Sequence, residues 1–389
     1  MSEIASLGFG RPVFREDHDH FRSTVRNFFK TEIEPNVRQW EKDGGFPAEL
    51  FRTAAKAGLL CSAIPEEYGG QGGDLLHLLV LHEEHAYSPS GAAIDSGLLT
   101  DMVAQTMLIG GTEEQKRAWL PRFATGELIA ELAMSEAEAG SDVRGVKTYA
   151  RRDGDDYVIN GAKMWLSNGP LMNFAFVAAK IDQGKTLDDP VTLFIVPFDE
   201  VKGLTVSKPS EMMNKSAGGL AEIFLDDVRV PADYILGGVE GRGMTHALGT
   251  LGLARVASAT RAVAASELAL ALTLDFVKNR KAFGKRIIDF QNTQFKLASV
   301  KTETAVGRAF ADKLLGQVLE NAIDPTESAM GKLWCTEMEG RVMDECLQLF
   351  GGAGYSDEYP ISKMFAFARA HRIQVGTSEI MRLIIARSL

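Results

Sequence analysis

Cysteine is scarce in this chain: Cys61, Cys335 and Cys346 are the three present among 389 residues. An odd number at such wide spacing builds neither a disulfide framework nor a zinc site, so no metal is expected and the thiols should be reduced core residues. Long apolar runs are missing too. No stretch approaches the ~20 uninterrupted apolar residues that cross a bilayer, and the opening residues have neither the basic nor the apolar region of a secretory signal. The expectation is a cytoplasmic protein with no membrane partner. Positive charge is in deficit, 42 Lys and Arg against 52 Asp and Glu, for a net charge of −10, with no basic arm. Nucleic acid is therefore not an expected partner. Internal repeats and low-complexity linkers are also absent.

What remains is an ordinary globular composition, 45% hydrophobic and 24% charged, long enough for two or three domains with large cores. Residues 1–128 read as helices joined by turns. Phe21, Val25, Phe28 and Phe29 lie at helical spacing within a helix expected over about 16–41, and Thr112 followed by Glu113 and Glu114 marks another helix start. Residues 129–236 change to strand patterning. Val146–Ala150 and Tyr157–Ile159 flank the turn Asp153-Gly154-Asp155, and Phe174–Ala179, Val191–Val196 and Ala221–Val230 follow. Residues 237–389 return to long helices. Leu297, Lys301, Thr304, Arg308, Ala311 and Leu315 step by three or four, and Trp334, Met338, Val342 and Cys346 step by four. The predicted class is α+β: an N-terminal helical domain, a small antiparallel β-barrel or sandwich, and a C-terminal four-helix bundle.

Two segments carry chemistry. In Ala133-Met134-Ser135-Glu136-Ala137-Glu138-Ala139-Gly140-Ser141-Asp142, small residues let backbone approach a flat ligand while Ser135 and Ser141 offer hydroxyl donors. Lys163-Met164-Trp165-Leu166-Ser167-Asn168-Gly169 sets an indole beside a hydroxyl at a strand end. By spacing alone, a tight β-turn with a core Trp is the commoner reading of either segment. Arg280, Lys281, Lys285 and Arg286 form the densest basic cluster, suited to a pyrophosphate or to a solvated helix end.

Together the first two segments resemble the signatures of the acyl-CoA dehydrogenase family, roughly A-M-T-E-P-x-A-G-S-D and K-x-W-I-T-N-G. The resemblance extends through Pro65–Gly70, Gly111–Lys116, Arg280–Lys285, Gln348–Gly352 and Gly376–Ile380. It implies an FAD-dependent oxidoreductase acting on the CH–CH group of an acyl-CoA, with electron-transfer flavoprotein or another acceptor as partner. It implies that Met134, Ser135, Gly140, Ser141, Trp165 and Ser167 hold the flavin ring. Arg280, Phe283, Gln291, Gln348, Gly351 and Gly352 would hold the adenosine diphosphate half across a subunit boundary, with Thr377 and Glu379 near the cofactor. Such shared sites imply a homotetramer or dimer. Ser141 and Arg255 are the expected substrate contacts.

One part of the family pattern is missing. The carboxylate that removes the α-proton stands either in a Y-E-G-T motif, here Gln374-Val375-Gly376-Thr377, or directly before an Arg on a bundle helix, here Ala254-Arg255. Neither Val375 nor Ala254 can take a proton, so the catalytic residue is unassigned. Asp101 is a weak substitute, with a structural role as its alternative. Glu136 is expected to organise its own turn and His246 to be structural. The base could instead come from a homologous subunit in a heteromer. Two other activities fit an empty slot: a desulfinase-like reaction on a CoA ester, and a flavin monooxygenase of the same fold.

Overall fold

The computed structural model describes residues 11–94, 98–182, 189–214 and 216–389. They sort into two units. One comprises the described residues up to Asn36 with Leu75–Ala93 and Gly252–Leu389, and the other comprises Val37–Asp74 and Ile94–Leu251. The helices anticipated within residues 1–128 are thus shared between the units.

In the first unit, helix Glu16–Phe28 continues into a π-helical turn, Phe29–Ile33, where Glu34 N–H donates to the Phe29 carbonyl at 2.9 Å. The single helix expected over 16–41 is therefore corrected to two, because Pro35 lacks an N–H and the next helix, Val37–Asp43, starts only after it. Helices Gly243–Asn279 (in this unit from Gly252 onward), Gln291–Leu319, Pro325–Phe350 and Pro360–His371 make up the C-terminal bundle. The third packs on the second, on the fourth and on the short helix Ser378–Ala386, while Leu75–Tyr87 packs on Glu16–Phe28 and on Gln291–Leu319. Asp324 starts the third helix by accepting from Glu327 N–H at 2.7 Å with Pro325 at the first helical position. Of the anticipated stripes, Leu297, Thr304, Arg308, Ala311, Met338, Val342 and Cys346 are buried. Lys301 and Trp334 are exposed and belong to other faces.

The second unit is built on a seven-stranded sheet. Its strands are β1 Ala130–Ala133, β2 Tyr149–Asp153, β3 Asp156–Ser167, β4 Phe174–Ile181, β5 Val191–Pro197, β6 Leu204–Val206 and β7 Leu220–Pro231, in the order β1-β4-β2-β3-β7-β6 with β5 also on β4. The anticipated hairpin forms at Gly154-Asp155. The sheet is mixed rather than antiparallel throughout, since β1 and β2 both run parallel to β4. The chain between β1 and β4, which holds the β2–β3 hairpin, is long enough for the crossover that parallel neighbours require. β4 is buried on both faces: Phe174, Phe176 and Ala178 enter one core with Trp119 and Phe123, while Ala175, Val177 and Ala179 enter another with Tyr157 and Ile223. That explains its continuous apolar run. All three cysteines are buried and unpaired, as expected.

Candidate cofactor and ligand site

In the sheet unit, β1 delivers the chain to Met134 and Ser135, after which Glu136–Ala139 closes a tight turn through reciprocal backbone hydrogen bonds of 2.9 and 3.2 Å. Glu136 fixes this turn. Its carboxylate accepts from Lys147 N–H at 2.6 Å, Thr148 N–H at 3.0 Å and Lys163 Nζ at 2.6 Å. Burial would raise its pKa, but the Lys163 charge and the donated hydrogen bonds hold the carboxyl below its usual range. Lys163 is fully buried on β3 and also donates to the Met134 carbonyl at 3.2 Å. Burial pushes its ammonium down to about 8 against the pull of Glu136. Next along β3, Met164 N–H donates to the Ser135 carbonyl at 3.0 Å, so the two sequence segments are joined.

Trp165 follows at a register shift between β3 and β7, with φ of +63° and half of its surface exposed. An aromatic residue in the left-handed region costs about 1–3 kcal/mol. The bulge turns the indole outward from the sheet rather than into either core. Ser135 and Ser167 are half-buried, and Gly140 and Ser141 exposed. A Cβ on Gly140 would meet no atom within 4 Å, so the chain's own packing does not require glycine there. An outward indole facing solvent and a glycine with open space fit a flat cofactor.

In the helical unit, strands β8 Lys281–Ala282 and β9 Lys285–Arg286 form a hairpin whose turn residues Phe283 and Gly284 both have positive φ, +50° and +78°. This puts the Phe283 ring almost wholly in solvent, 95% exposed. The basic cluster divides. Arg286 pairs with Asp289 at 2.8 Å and the Lys285 ammonium lies 4.1 Å from the centre of the Phe290 ring, while Arg280 and Lys281 have no carboxylate partner among the described residues. Gln291, Gln348, Gly351 and Gly352 are exposed, and a Cβ on either glycine would meet nothing within 4 Å. Thr377 caps Ser378–Ala386 by accepting from Ile380 N–H at 3.3 Å, and Glu379 is exposed in its first turn.

The two empty slots lie in the same helical unit. Val375 has φ of +57° and precedes Gly376 at +89°. A β-branched residue there is strained. Ala254 is half-buried, and its neighbour Arg255 is buried with Nε unpartnered. Lys332 is fully buried and donates to the Gly376 carbonyl at 2.7 Å. Burial pushes it down to about 8, and the Arg255 charge works in the same direction.

Asp101 belongs to the sheet unit. Its carboxylate accepts from Cys61 N–H at 2.8 Å and from Ser62 N–H and Oγ, both at 3.1 Å. Burial raises it to about 6 against those hydrogen bonds. The residue clasps the 61–62 backbone, which is a structural role. His246 is wedged against Gly110 and Gly237, where a Cβ would lie 2.7 and 3.2 Å from its ring. Sequence reasoning missed Lys163 and Lys332. The available signal for Lys332 was its phase: Ser328, Lys332, Cys335, Glu339, Val342 and Cys346 share one buried helix face.

Family models described as the N-terminal, middle and C-terminal domains of acyl-CoA dehydrogenase match residues 15–127, 131–228 and 241–389. The long-chain specific acyl-CoA dehydrogenase of Rattus norvegicus mitochondria is 38% identical over 388 residues, covering 100% of this chain and 89% of that protein. The crystal structure of an acyl-CoA dehydrogenase from Geobacillus kaustophilus superposes with a TM-score of 0.93 at 38% identity, over 97% of this chain and 99% of that one. A glutaryl-CoA dehydrogenase from Mycobacterium smegmatis, solved in complex with FADH2, gives a TM-score of 0.87 at 30% identity, over 97% of this chain and 95% of that one.

Proposed function

The chain belongs to the acyl-CoA dehydrogenase family, and we propose from that premise that it is an FAD-dependent oxidoreductase acting on the CH–CH group of an acyl thioester. The observation that carries the reading is Trp165: a strained indole, half exposed, on a bulge beside the turn that Glu136 and Lys163 hold. Met134, Ser135, Gly140, Ser141, Trp165 and Ser167 would hold the flavin ring. Arg280, Phe283, Gln291, Gln348, Gly351 and Gly352 would hold the adenosine diphosphate half, with Thr377 and Glu379 nearby. Bound FAD supplies the acceptor for the hydride leaving Cβ.

The chain's own residues supply the rest. Val375 keeps a backbone N–H that can polarise the thioester carbonyl. Ser141 and Arg255 would contact the ligand. No residue takes the α-proton from either usual slot, because Val375 and Ala254 are apolar. The missing base is worth about 10²–10⁴ in rate. A homologous subunit in a heteromer is one source of it. An adenosine diphosphate site completed across a subunit boundary would make the protein a homotetramer or dimer. Electron-transfer flavoprotein or another acceptor would reoxidise the flavin. No helix among the described residues is long and apolar enough to cross a membrane; a cytoplasmic site of action is part of the proposal.

The test is anaerobic titration of purified protein with a panel of acyl-CoAs. Yellow protein whose 450 nm absorbance bleaches supports the reading, and colourless protein that takes up no added FAD removes it. The empty slots also favour a desulfinase-like reaction, which would yield product with no net electron transfer to an acceptor.

A further inference from the structure

Among the described residues, two of the four buried Arg and Lys side chains of the helical unit are held by a carboxylate, directly or through a histidine. Arg308 reaches Glu83 at 2.7 Å and Glu267 at 2.6 Å, and Arg261 contacts His371 at 2.7 Å, which in turn contacts Glu339 at 2.8 Å. Arg255 differs. It is only 8% exposed, its Nε has no partner, and no hydrogen bond or ion pair reaches it from the described residues. Burial lowers the pKa of its guanidinium, with no carboxylate in opposition. Burying a guanidinium in this way costs several kcal/mol.

Lys332, whose ammonium feels the Arg255 charge, is the second exception. It spends one of three N–H donors on the Gly376 carbonyl and has no carboxylate within ion-pairing distance among the described residues. The acidic groups that bear on it are Glu337 and Glu379. Glu337 is committed to Ser378 at 2.7 Å and Arg372 at 2.6 Å, and Glu379 is 81% exposed. The adjoining side chains, Ala254 and Val375, are apolar. Two buried cations of one unit thus act on each other's charge, and neither has a carboxylate partner among the described residues, so the pair calls for an anion. Guanidinium and ammonium together suit a compact oxyanion, which accepts from both.

We propose that Arg255 and Lys332 form a subsite for an oxyanion carried on the acyl part of the ligand, so that the preferred CoA thioesters are those of acids bearing a second carboxylate or a sulfinate. This rests on the reading of the chain as an acyl-thioester flavoenzyme and names its substrate class. The ligand's own anion stands where relatives keep a protein carboxylate.

The test compares two thioesters of equal carbon number, butyryl-CoA and succinyl-CoA, on the FAD-loaded enzyme. Affinity is read by calorimetry and by perturbation of the flavin spectrum. Succinyl-CoA should bind about 10–100-fold more tightly, the value of one or two charge-assisted hydrogen bonds. Lys332→Met should erase most of that ratio while leaving butyryl-CoA affinity little changed, and Arg255→Gln should independently erase most of the ratio. Arg255→Lys, which keeps the charge, should retain part of it. Equal binding of both thioesters by the unaltered enzyme overturns the subsite and leaves the flavoenzyme reading intact. Added acetate that tightens butyryl-CoA to the succinyl-CoA level would assign the site to a free anion and also overturn it. If neither thioester binds or perturbs the flavin, both readings fall.

Discussion

Lys163 Nζ lies 2.6 Å from the Glu136 carboxylate, and this contact ties the β3 strand to the turn that carries Met134, Ser135 and Gly140. The two ionic groups are withdrawn from water together, so each depends on the other. Lys163→Met should cost about 3 kcal/mol of stability, chiefly by stranding Glu136. It should also lower the flavin content, read as the ratio of 450 to 280 nm absorbance. A variant that unfolds at the wild-type urea concentration and keeps its flavin would contradict this.

The same lysine sets a pH dependence. Its folded value of about 8 lies below the ordinary 10.5. Between those values the unfolded chain binds more protons than the folded one, so this group's contribution to stability rises as pH climbs through the window. The difference amounts to at most about 3 kcal/mol. Urea unfolding of wild type and Lys163→Met across that range should show the wild type gaining relative to the variant.

Glu83 is fully buried and accepts from Arg11 at 2.6 Å and from Arg22 and Arg308 at 2.7 Å each. Burial opposes its ionisation, but the three guanidinium groups hold the carboxyl well below its usual range. A depressed carboxylate stabilises above its unfolded pKa and loses that contribution as pH falls through the folded one. Glu83→Gln should therefore cost about 3–5 kcal/mol at neutral pH. The gap from wild type should narrow on acidification below about pH 4.3, followed by thermal denaturation.

Restoring a carboxylate tests the empty slots directly. Val375→Glu should raise the rate of flavin reduction by butyryl-CoA by about 10²–10⁴, the usual value of a general base. The alternative placement, Ala254→Glu, provides a second trial should the strained position 375 not accept glutamate. Stopped-flow absorbance at 450 nm is the measurement. No acceleration in either variant, with flavin retained, would mean that proton removal is not what limits this enzyme.

Phe283 stands 95% exposed on its hairpin and contributes little to the fold of its own chain. Phe283→Ser should leave the melting of the isolated chain almost unchanged but shift the particle mass downward in light scattering after gel filtration. Unaltered mass would remove this ring from the subunit interface.

Much of the architecture was legible because it follows from local rules. The strand and helix periods, the Gly154 hairpin and the Thr112 helix start depend on neighbours a few residues away. The motifs around Met134 and Trp165 were legible for the same reason. What local pattern could not give was the parallel pairing of β1 and β2 with β4, because a crossover leaves no mark on strand composition. Nor could it reveal that Pro35 ends the first helix after a π-helical turn.

The sequence by itself determined which atoms are absent from the two base slots: no carboxylate at 254 or 375. Only the tertiary structure decided what the remaining charges do. Lys163 and Glu136 are 27 residues apart and become one buried pair, Asp101 is consumed by the backbone at 61–62, and Arg255 and Lys332, 77 positions apart, have no carboxylate partner among the described residues. A charge's partner and its dielectric surroundings are set by distances through space, and those exist only once the chain has closed on itself.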